Sequence, residues 1–412
     1  MKVAANRNKR MVADSVLLFA TRSLRLFGYG FLSVVLALYL AESGFSDVLM
    51  GALFSLTLVG DAGVSLFLTT TADRFGRKRT LIIGAILMLI AGVVFILTTN
   101  PLLLIIAAIV GVISPSGNEI GPFLPVEQAM LSQLVSKEHR TGVFAWYNLT
   151  GSLSTAVGSL AGGFLAALLQ RHGVSPLESY RVVLCGYALI GGILALVFSG
   201  LSSACEAPPP STSSIPYSVV GLHKSRRVVV KLSLLFSLDA FAGGFVLQSF
   251  MAYWFHVRFG ADEAALGSIF FGANLLAGVS ALLAVPLAKR IGLIRTMVFT
   301  HLPSNILLML VPLMPNFGLA ITMLLLRFSI SQMDVPTRQA YTMAVVDPDE
   351  RSAAAGITGI ARSIGASLSP AAAGALFSVF LGGPFIVAGG LKIIYDLILY
   401  RNFKSANVAD EA

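Results

Sequence analysis

The sequence predicts an all-α membrane protein of twelve transmembrane helices, arranged as two pseudo-symmetric six-helix bundles. Three observations predict it. Apolar residues make up 56% of the 412 residues and charged residues only 12%, about half the charged fraction of a soluble domain. Apolar runs near the length of about 20 residues that a bilayer requires recur along the whole chain. The second six of these runs also repeat features of the first six.

Taken in order, residues 1–13 (MKVAANRNKR and onward) read as a short basic cytoplasmic segment. They lead into a first span at 14–42, too long for the apolar region of a signal peptide and carrying Arg22 and Arg25, so no cleavable leader is expected. Further spans follow at 47–70, 80–98, 101–136, 140–170 and 178–202, which complete an N-terminal bundle over 14–202. LIIGAILMLIAGVVFIL at 81–97 is typical of them. The stretch 202–216, SSACEAPPPSTSSIP, is rich in Pro and Ser and marks a cytoplasmic linker over 203–227. The C-terminal bundle, 228–402, holds spans at 228–257, 262–288, 293–313, 316–346, 351–380 and 383–402, with a cytoplasmic tail at 403–412.

The net charge of +9 belongs to topology rather than to nucleic acid. With the N-terminus inside, twenty Lys and Arg residues fall in cytoplasmic segments and three, Arg171, Arg181 and Arg258, fall outside. That asymmetry orients both termini to the cytoplasm and favours an even number of spans. Two cysteines, Cys185 and Cys205, offer neither a disulfide framework nor a metal spacing. No cofactor is expected.

The repeat can be aligned without gaps. PVEQAMLSQLVSKEHRTG (125–142) lies over PTRQAYTMAVVDPDERSA (336–353), matching Pro125 with Pro336, Gln128 with Gln339, and Arg140 with Arg351. The register continues through Gly163 with Gly374. LLFATR (17–22) matches LLFSLD (234–239), and ADRFGRKRT (72–80) matches AKRIGLIRT (288–296). Two six-helix halves of like orientation make a transporter plan, with a substrate path at the repeat interface.

Within the first of those loops, Asp73, Arg74, Phe75, Gly76, Arg77, Lys78 and Arg79 resemble the loop 2–3 signature of the major facilitator superfamily, with Thr69 where the pattern has its leading Gly. The resemblance extends over the whole chain in helix count, linker and halves. It implies the fold of that superfamily and alternating access, and it implies that Asp73, Arg74, Gly76, Arg77 and Arg79 form a cytoplasmic conformational latch. Topological anchoring is the plainer reading of those basic residues. A second, weaker similarity lies in helix 5, where exporters of the superfamily carry G-x-x-x-G-P-x-x-G-G. Here Ser154, Gly158, Ser159, Gly162 and Gly163 stand at those positions, and helix 11 supplies a proline at Pro370. Close helix packing is the plainer account of these glycines.

The resemblance also implies that helices 1, 4, 7 and 10 line a central cavity. Charges in lipid are costly and should face a cavity or a partner. The charged positions follow that expectation: Arg22 and Arg25 in helix 1, Glu119 and Glu127 in helix 4, Asp239 in helix 7, and Arg327, Asp334 and Arg338 in helix 10. The repeat places Glu127 over Arg338 and Arg22 over Asp239, opposite signs at equivalent depths. This predicts a cavity of compensating charges, with Gln128, Gln248, Asn274 and Gln339 adding polar selectivity. Pro122 and Pro125 should bend helix 4 beside it. Glu127, Asp239 and Asp334 are the candidates for proton coupling; fixed ion pairs are the structural alternative. Arg327 is expected on the stripe of Asp334, and Asp334 and Arg338, four apart, can satisfy each other.

Asp61 and Arg362 are further buried candidates, and Arg362 could meet a carboxylate of helix 7 or 10. Lys392 and Asp396, four apart in helix 12, suggest a structural pair, while Trp254, Trp146 and Tyr147 suggest interfacial belts. The expected function is that of a secondary transporter, a proton-coupled exporter of a small organic molecule. The arginines favour an anionic group on the substrate; zwitterionic and neutral polar compounds remain open. Proton-linked uptake of a nutrient or organic anion, and a non-transporting receptor on the same fold, are the alternatives. No nucleophile elbow and no phosphate-binding G-x-x-x-x-G-K-[ST] occurs, so neither an enzyme nor an ATP-driven pump is expected. The expected partners are the substrate, protons and the lipid bilayer, with no nucleic acid. The expected form is a monomer in a prokaryotic inner (plasma) membrane.

Overall fold

The computed structural model describes residues 2–136, 139–207, 224–347 and 350–403. Most of the expected linker (208–223) and nearly all of the tail (404–412) lie outside the described residues. The elements are α1 (Lys2–Ser33), α2 (Leu36–Glu42), α3 (Asp47–Phe75), α4 (Arg77–Leu97), α5 (Pro101–Val110), α6 (Phe123–Leu134), α7 (Arg140–Arg171) and α8 (Pro176–Ser199). After the linker come α9 (Arg226–Gly244), α10 (Gln248–Phe259), α11 (Glu263–Ile291), α12 (Leu293–Leu310), α13 (Phe317–Ser331), α14 (Asp334–Ala344), α15 (Arg351–Val379) and α16 (Gly383–Phe403). The described residues form no strand.

Local sequence explains several of these boundaries. Asn100 accepts the Leu102 and Leu103 amides ahead of Pro101. Ser175 accepts the Glu178 amide ahead of Pro176. Both pair a side-chain cap with a proline in the first turn, where its missing N–H is harmless. Gly76 precedes α4 at φ 102° and Gly292 precedes α12 at φ 87°. Each is followed by a threonine, Thr80 or Thr296, whose hydroxyl donates to the glycine carbonyl. The two loops aligned in the sequence are therefore built alike.

Nine of the described helical segments are long and apolar enough to cross a membrane, and the bent pair of residues 11–33 and Leu36–Glu42 makes a tenth. The other two expected spans are α15, long but carrying Arg351 and Arg362, and helix 4, which is broken. The chain is a multi-pass all-α membrane protein, and the elements are consistent with twelve spans. Side chains such as Ile90, Leu97, Leu196 and Val379 are exposed, as a lipid-facing surface requires.

The sequence predicts helix 4 as one span over 101–136, and the structure differs. Residues 111–122 are not helical, and Gly117 and Gly121 take positive φ there. Interruptions recur in helix 1 between Ser33 and Leu36, in helix 7 between Gly244 and Gln248, and in helix 10 between Ser331 and Asp334. These are the four helices expected to line a cavity. Irregular backbone within a membrane survives only where protein or a wet cavity satisfies it. Pro125 and Pro336, aligned in the repeat, are each the third residue of the resumed helix (α6 and α14). They permit the restart rather than bend a continuous helix, since a first-turn proline sacrifices no helical bond.

The chain divides into two compact units, one of residues 1–46, 56–210 and 251–271, the other of 47–55, 211–250 and 272–412. In the first, α1 packs along α7 and α4 along α8; in the second, α9 packs along α15 and α12 along α16. Small residues allow the first contact. A Cβ on Gly158 would stand 2.1 Å from the Phe27 carbonyl oxygen, and one on Gly162 2.1 Å from that of Phe31. Their place in the export-like pattern is thus explained by packing against α1.

Candidate functional site

In the first unit, α1 presents Arg22 and Arg25 three residues apart. They meet Glu119, carried by the irregular segment, and Glu127, carried by α6. Arg22 Nη1 bonds Glu119 at 2.8 Å and Arg25 Nε bonds it at 2.9 Å. Arg25 also holds Glu127 in a fork, both nitrogens at 2.7 Å. Such bidentate pairing is the strong geometry for arginine and carboxylate. Tyr147 and Thr21 donate their hydroxyls to the same carboxylate, and both Arg25 and Glu127 are 0% exposed. Arg22 donates to the Tyr147 carbonyl and stacks over its ring. Tyr147 is therefore a buried partner of the charged cluster and not an interfacial residue, while Trp146 is exposed. The unwinding of helix 4 brings Glu119 within reach of both arginines.

Asp61 of α3 accepts the Gly121 amide at 2.6 Å and the Ser65 hydroxyl, and so secures the far end of the irregular segment. An open groove of about 570 Å³ lies between α1 and α7, lined mainly by apolar groups including Phe27 and Leu153, with Ser23 and Ser154.

In the second unit, the polarity is reversed. Asp239 of α9 receives Arg338 Nη1 of α14 at 2.9 Å, Arg362 Nη1 of α15 at 3.1 Å and Lys392 Nζ of α16 at 2.5 Å. Arg338 also bonds Asp334 at 2.9 Å. The Arg362 expectation is thereby met. Lys392 and Asp396 do not pair with each other as the sequence suggests. Lys392 turns to Asp239, and Asp396 accepts from Asn305 and meets His301, each at 2.9 Å. The charges at aligned positions thus compensate inside each unit: Glu127 is paired with Arg25, and Asp239 with Arg338.

Arg327 differs from these. Of the buried arginines Arg22, Arg25, Arg77, Arg327 and Arg338, it is the one that bonds no carboxylate among the described residues. Its Nε lacks a hydrogen-bond partner and its guanidinium lies over the Phe328 ring at 4.7 Å. Asp334 acts on it only through its field. The interruption after Ser331 separates the two residues into different helical segments, which removes the common stripe that their spacing suggests.

The remaining predicted residues divide. Asn274 donates to Gln248 at 3.0 Å, Gln128 is half-buried and Gln339 is exposed. Trp254 is buried, edge-on to Phe255 and Phe259, and so is no belt residue. In the 73–79 loop, Asp73 pairs with Arg77 at 2.8 Å, and Arg77 reaches Gln133 of α6. Glu206 accepts the Arg77 and Lys78 amides at the start of α4, a favourable place for an anion. Neighbouring Cys205 is buried, and burial together with Asp14 pushes its thiol up to about 12. Glu350 likewise accepts the Lys224 and Ser225 amides before α9. His301, Asn305 and Glu206 escape sequence reasoning. For the first two, the only signal is a polar pair four apart in an apolar helix.

Comparison with known proteins agrees with this architecture. The uncharacterized membrane protein YJR124C of Saccharomyces cerevisiae is 31% identical over 94% of the chain and 93% of its own length. The multidrug efflux protein YfmO of Bacillus subtilis is 24% identical over 90% of the chain and 88% of its own. A Na(+), Li(+), K(+)/H(+) antiporter of Planococcus maritimus is 31% identical over a shorter stretch, 32% of the chain and 30% of its own. Among solved structures, an inward-facing, occupied bacterial homolog of the human lysosomal transporter Spinster superposes with TM-score 0.74 at 17% identity, over 96% of this chain and 98% of that one. The D-xylose-proton symporter superposes with TM-score 0.71 at 16% identity, over 94% and 97%. The family model for the Major Facilitator Superfamily matches residues 18–370 and 232–409. The chain belongs to the major facilitator superfamily.

Proposed function

We propose that this transporter is a proton-coupled exporter of a small organic molecule that carries an anionic group. One observation carries the substrate class: among the described residues, Arg327 is buried and bonds no carboxylate, whereas every other buried arginine is neutralised by one. An isolated buried cation is expensive unless a partner arrives, and a carboxylate or phosphate on the substrate is such a partner. Arg22, Arg25, Glu127, Gln128, Asp239, Gln248, Asn274, Asp334, Arg338 and Gln339 complete the proposed cavity lining. Glu127, Asp239 and Asp334 exchange protons as their arginine partners shift between states. Asp73 and Arg77 act with Arg74, Gly76 and Arg79 as the cytoplasmic latch. Relatives named for multidrug efflux and for cation/proton antiport support the outward direction. The excess of Lys and Arg in cytoplasmic segments supports both termini inside, and the proposed location is a prokaryotic inner (plasma) membrane.

Everted vesicles with an acid lumen test the proposal. Carboxylated dyes, carboxyfluorescein first, should accumulate in the lumen and lose the gradient on collapse of the pH difference. Arg327→Gln should slow this about tenfold or more, the scale of one charged hydrogen bond, while Arg327→Lys retains a measurable part. No gradient-driven accumulation of any carboxylated dye, or full activity in Arg327→Gln, would overturn it. Efflux of lumen-loaded dye down the proton gradient would instead mark uptake as the native direction.

A further inference from the structure

We infer that His301 and Asp396 form a buried proton-binding site that sets the charge of the Asp239 network. The inference rests on the proton coupling proposed above and names where the proton resides. His301, in α12, is buried and stands between two carboxylates. Its Nδ1 is 2.9 Å from Asp396 Oδ1, and its Nε2 is 3.9 Å from Asp239 Oδ1. Asn305, one turn along α12 and fully buried, donates to the other Asp396 oxygen at 2.9 Å.

The groups that face this pair can be counted element by element. Asp239 from α9 and the ring of Tyr395 from α16 face His301 directly, and Asp239 in turn holds Lys392 from α16, Arg362 from α15 and Arg338 from α14, the last paired also with Asp334. Arg327 from α13 acts through Asp334. The network of Asp239, Asp334 and Asp396 with Arg338, Arg362 and Lys392 is electrically neutral when His301 is neutral. In that form its Nδ1–H donates to Asp396 and its Nε2 lone pair faces Asp239. One added proton completes the geometry. On Nε2 it makes an imidazolium that bridges Asp396 and Asp239; on Asp396 it is accepted by Asn305 once the Asn305 amide flips to turn its Oδ1, which has no hydrogen-bond partner among the described residues, toward Asp396. The pair therefore takes up the proton as a unit.

That proton leaves the network with one cation too many. His301 and Lys392 both address Oδ1 of Asp239, while Arg338 and Arg362 share Oδ2. Arg362, with its side chain 35% exposed and the longest of the three cation contacts to Asp239, is the cation that leaves first. A proton resident on α12 and α16 would thus loosen α15 from α9. The site thus stands beside Asp239 and adds to the exchange proposed for it: a proton on the pair changes which cations Asp239 holds.

The full-length protein, selectively labelled at its five histidines, tests the site in nanodiscs. Scanned from about pH 5 to 8, the histidine resonance missing from His301→Gln should change, and its change should differ in Asp396→Asn. A resonance that is constant over that range, or unmoved by Asp396→Asn, would overturn the inference without reference to transport. In parallel, carboxyfluorescein flux driven by a pH gradient should vary about tenfold with lumen pH across the same scan in the wild type. In His301→Gln it should vary less than about twofold; a wild-type pH profile there would also overturn the inference. Absence of any pH-driven flux in the wild type defeats the coupling proposal alone, and the resonance still decides the site.

Discussion

Arg25 has no exposed surface and divides its bonds between Glu119 and Glu127. Deleting one partner of such a pair leaves a buried charge, which costs about 3–5 kcal/mol. Glu127→Ala should therefore lower the thermal unfolding midpoint in detergent sharply. The double reversal Arg25→Glu with Glu127→Arg should recover part of the loss, because the fork is preserved with its ends exchanged. Reversing Glu127 with Arg338 should recover nothing, since Arg338 is held by Asp239 and Asp334. An unchanged midpoint in Glu127→Ala would mean that the fork does not hold the unit together. At this scale, which residues would be buried and charged was legible from their presence in apolar runs. Their partners were not: Lys392 and Asp239 are 153 residues apart and Arg22 and Glu119 are 97, and no local pattern couples such positions.

Among elements, the interrupted helices 1, 4, 7 and 10 carry all four charges of the first network and three of the six in the second. Breaking a helix frees backbone and redirects side chains, as Glu119 shows by reaching both arginines from the irregular segment. The tight turns before α4 and α12 depend on glycine, since φ values of 102° and 87° are unfavourable with a Cβ. Gly76→Ala and Gly292→Ala should each cost about 1–3 kcal/mol. Gly63→Ala, in open space within α3, should be neutral or stabilise by about 0.5–1 kcal/mol. Thermal midpoints of the three variants check this, and equal effects at all three positions would refute the turn argument. The sequence announced the loop symmetry through the shared Ala, Arg, Gly and Thr spacing. It hid the length of the helix 4 break, because PLLLIIAAIVGVI is apolar whether or not its end is helical.

At the scale of the molecule, each unit closes its own charge network, four charges in the first and six in the second with neutral His301. Mutations in networks that share no partner should combine additively within about 0.5 kcal/mol. A double-mutant cycle of Glu127→Gln and Asp239→Asn, read by thermal unfolding, should show no coupling beyond that. A larger coupling energy would reveal a direct link between the networks.

Composition, the spacing of apolar runs and the sign of the loop charges were sufficient, by themselves, to establish a multi-pass helical membrane protein with an internal repeat and the plan of its superfamily. These are properties of chain order, and the bilayer reads them directly through burial and charge. Only the tertiary structure decided that opposite charges pair inside each unit, that Arg327 is left without a carboxylate among the described residues, and that His301 joins Asp396 beside Asp239. Those outcomes depend on side chains from separate helices converging within about 3 Å, a distance that helix packing sets and one-dimensional spacing does not contain.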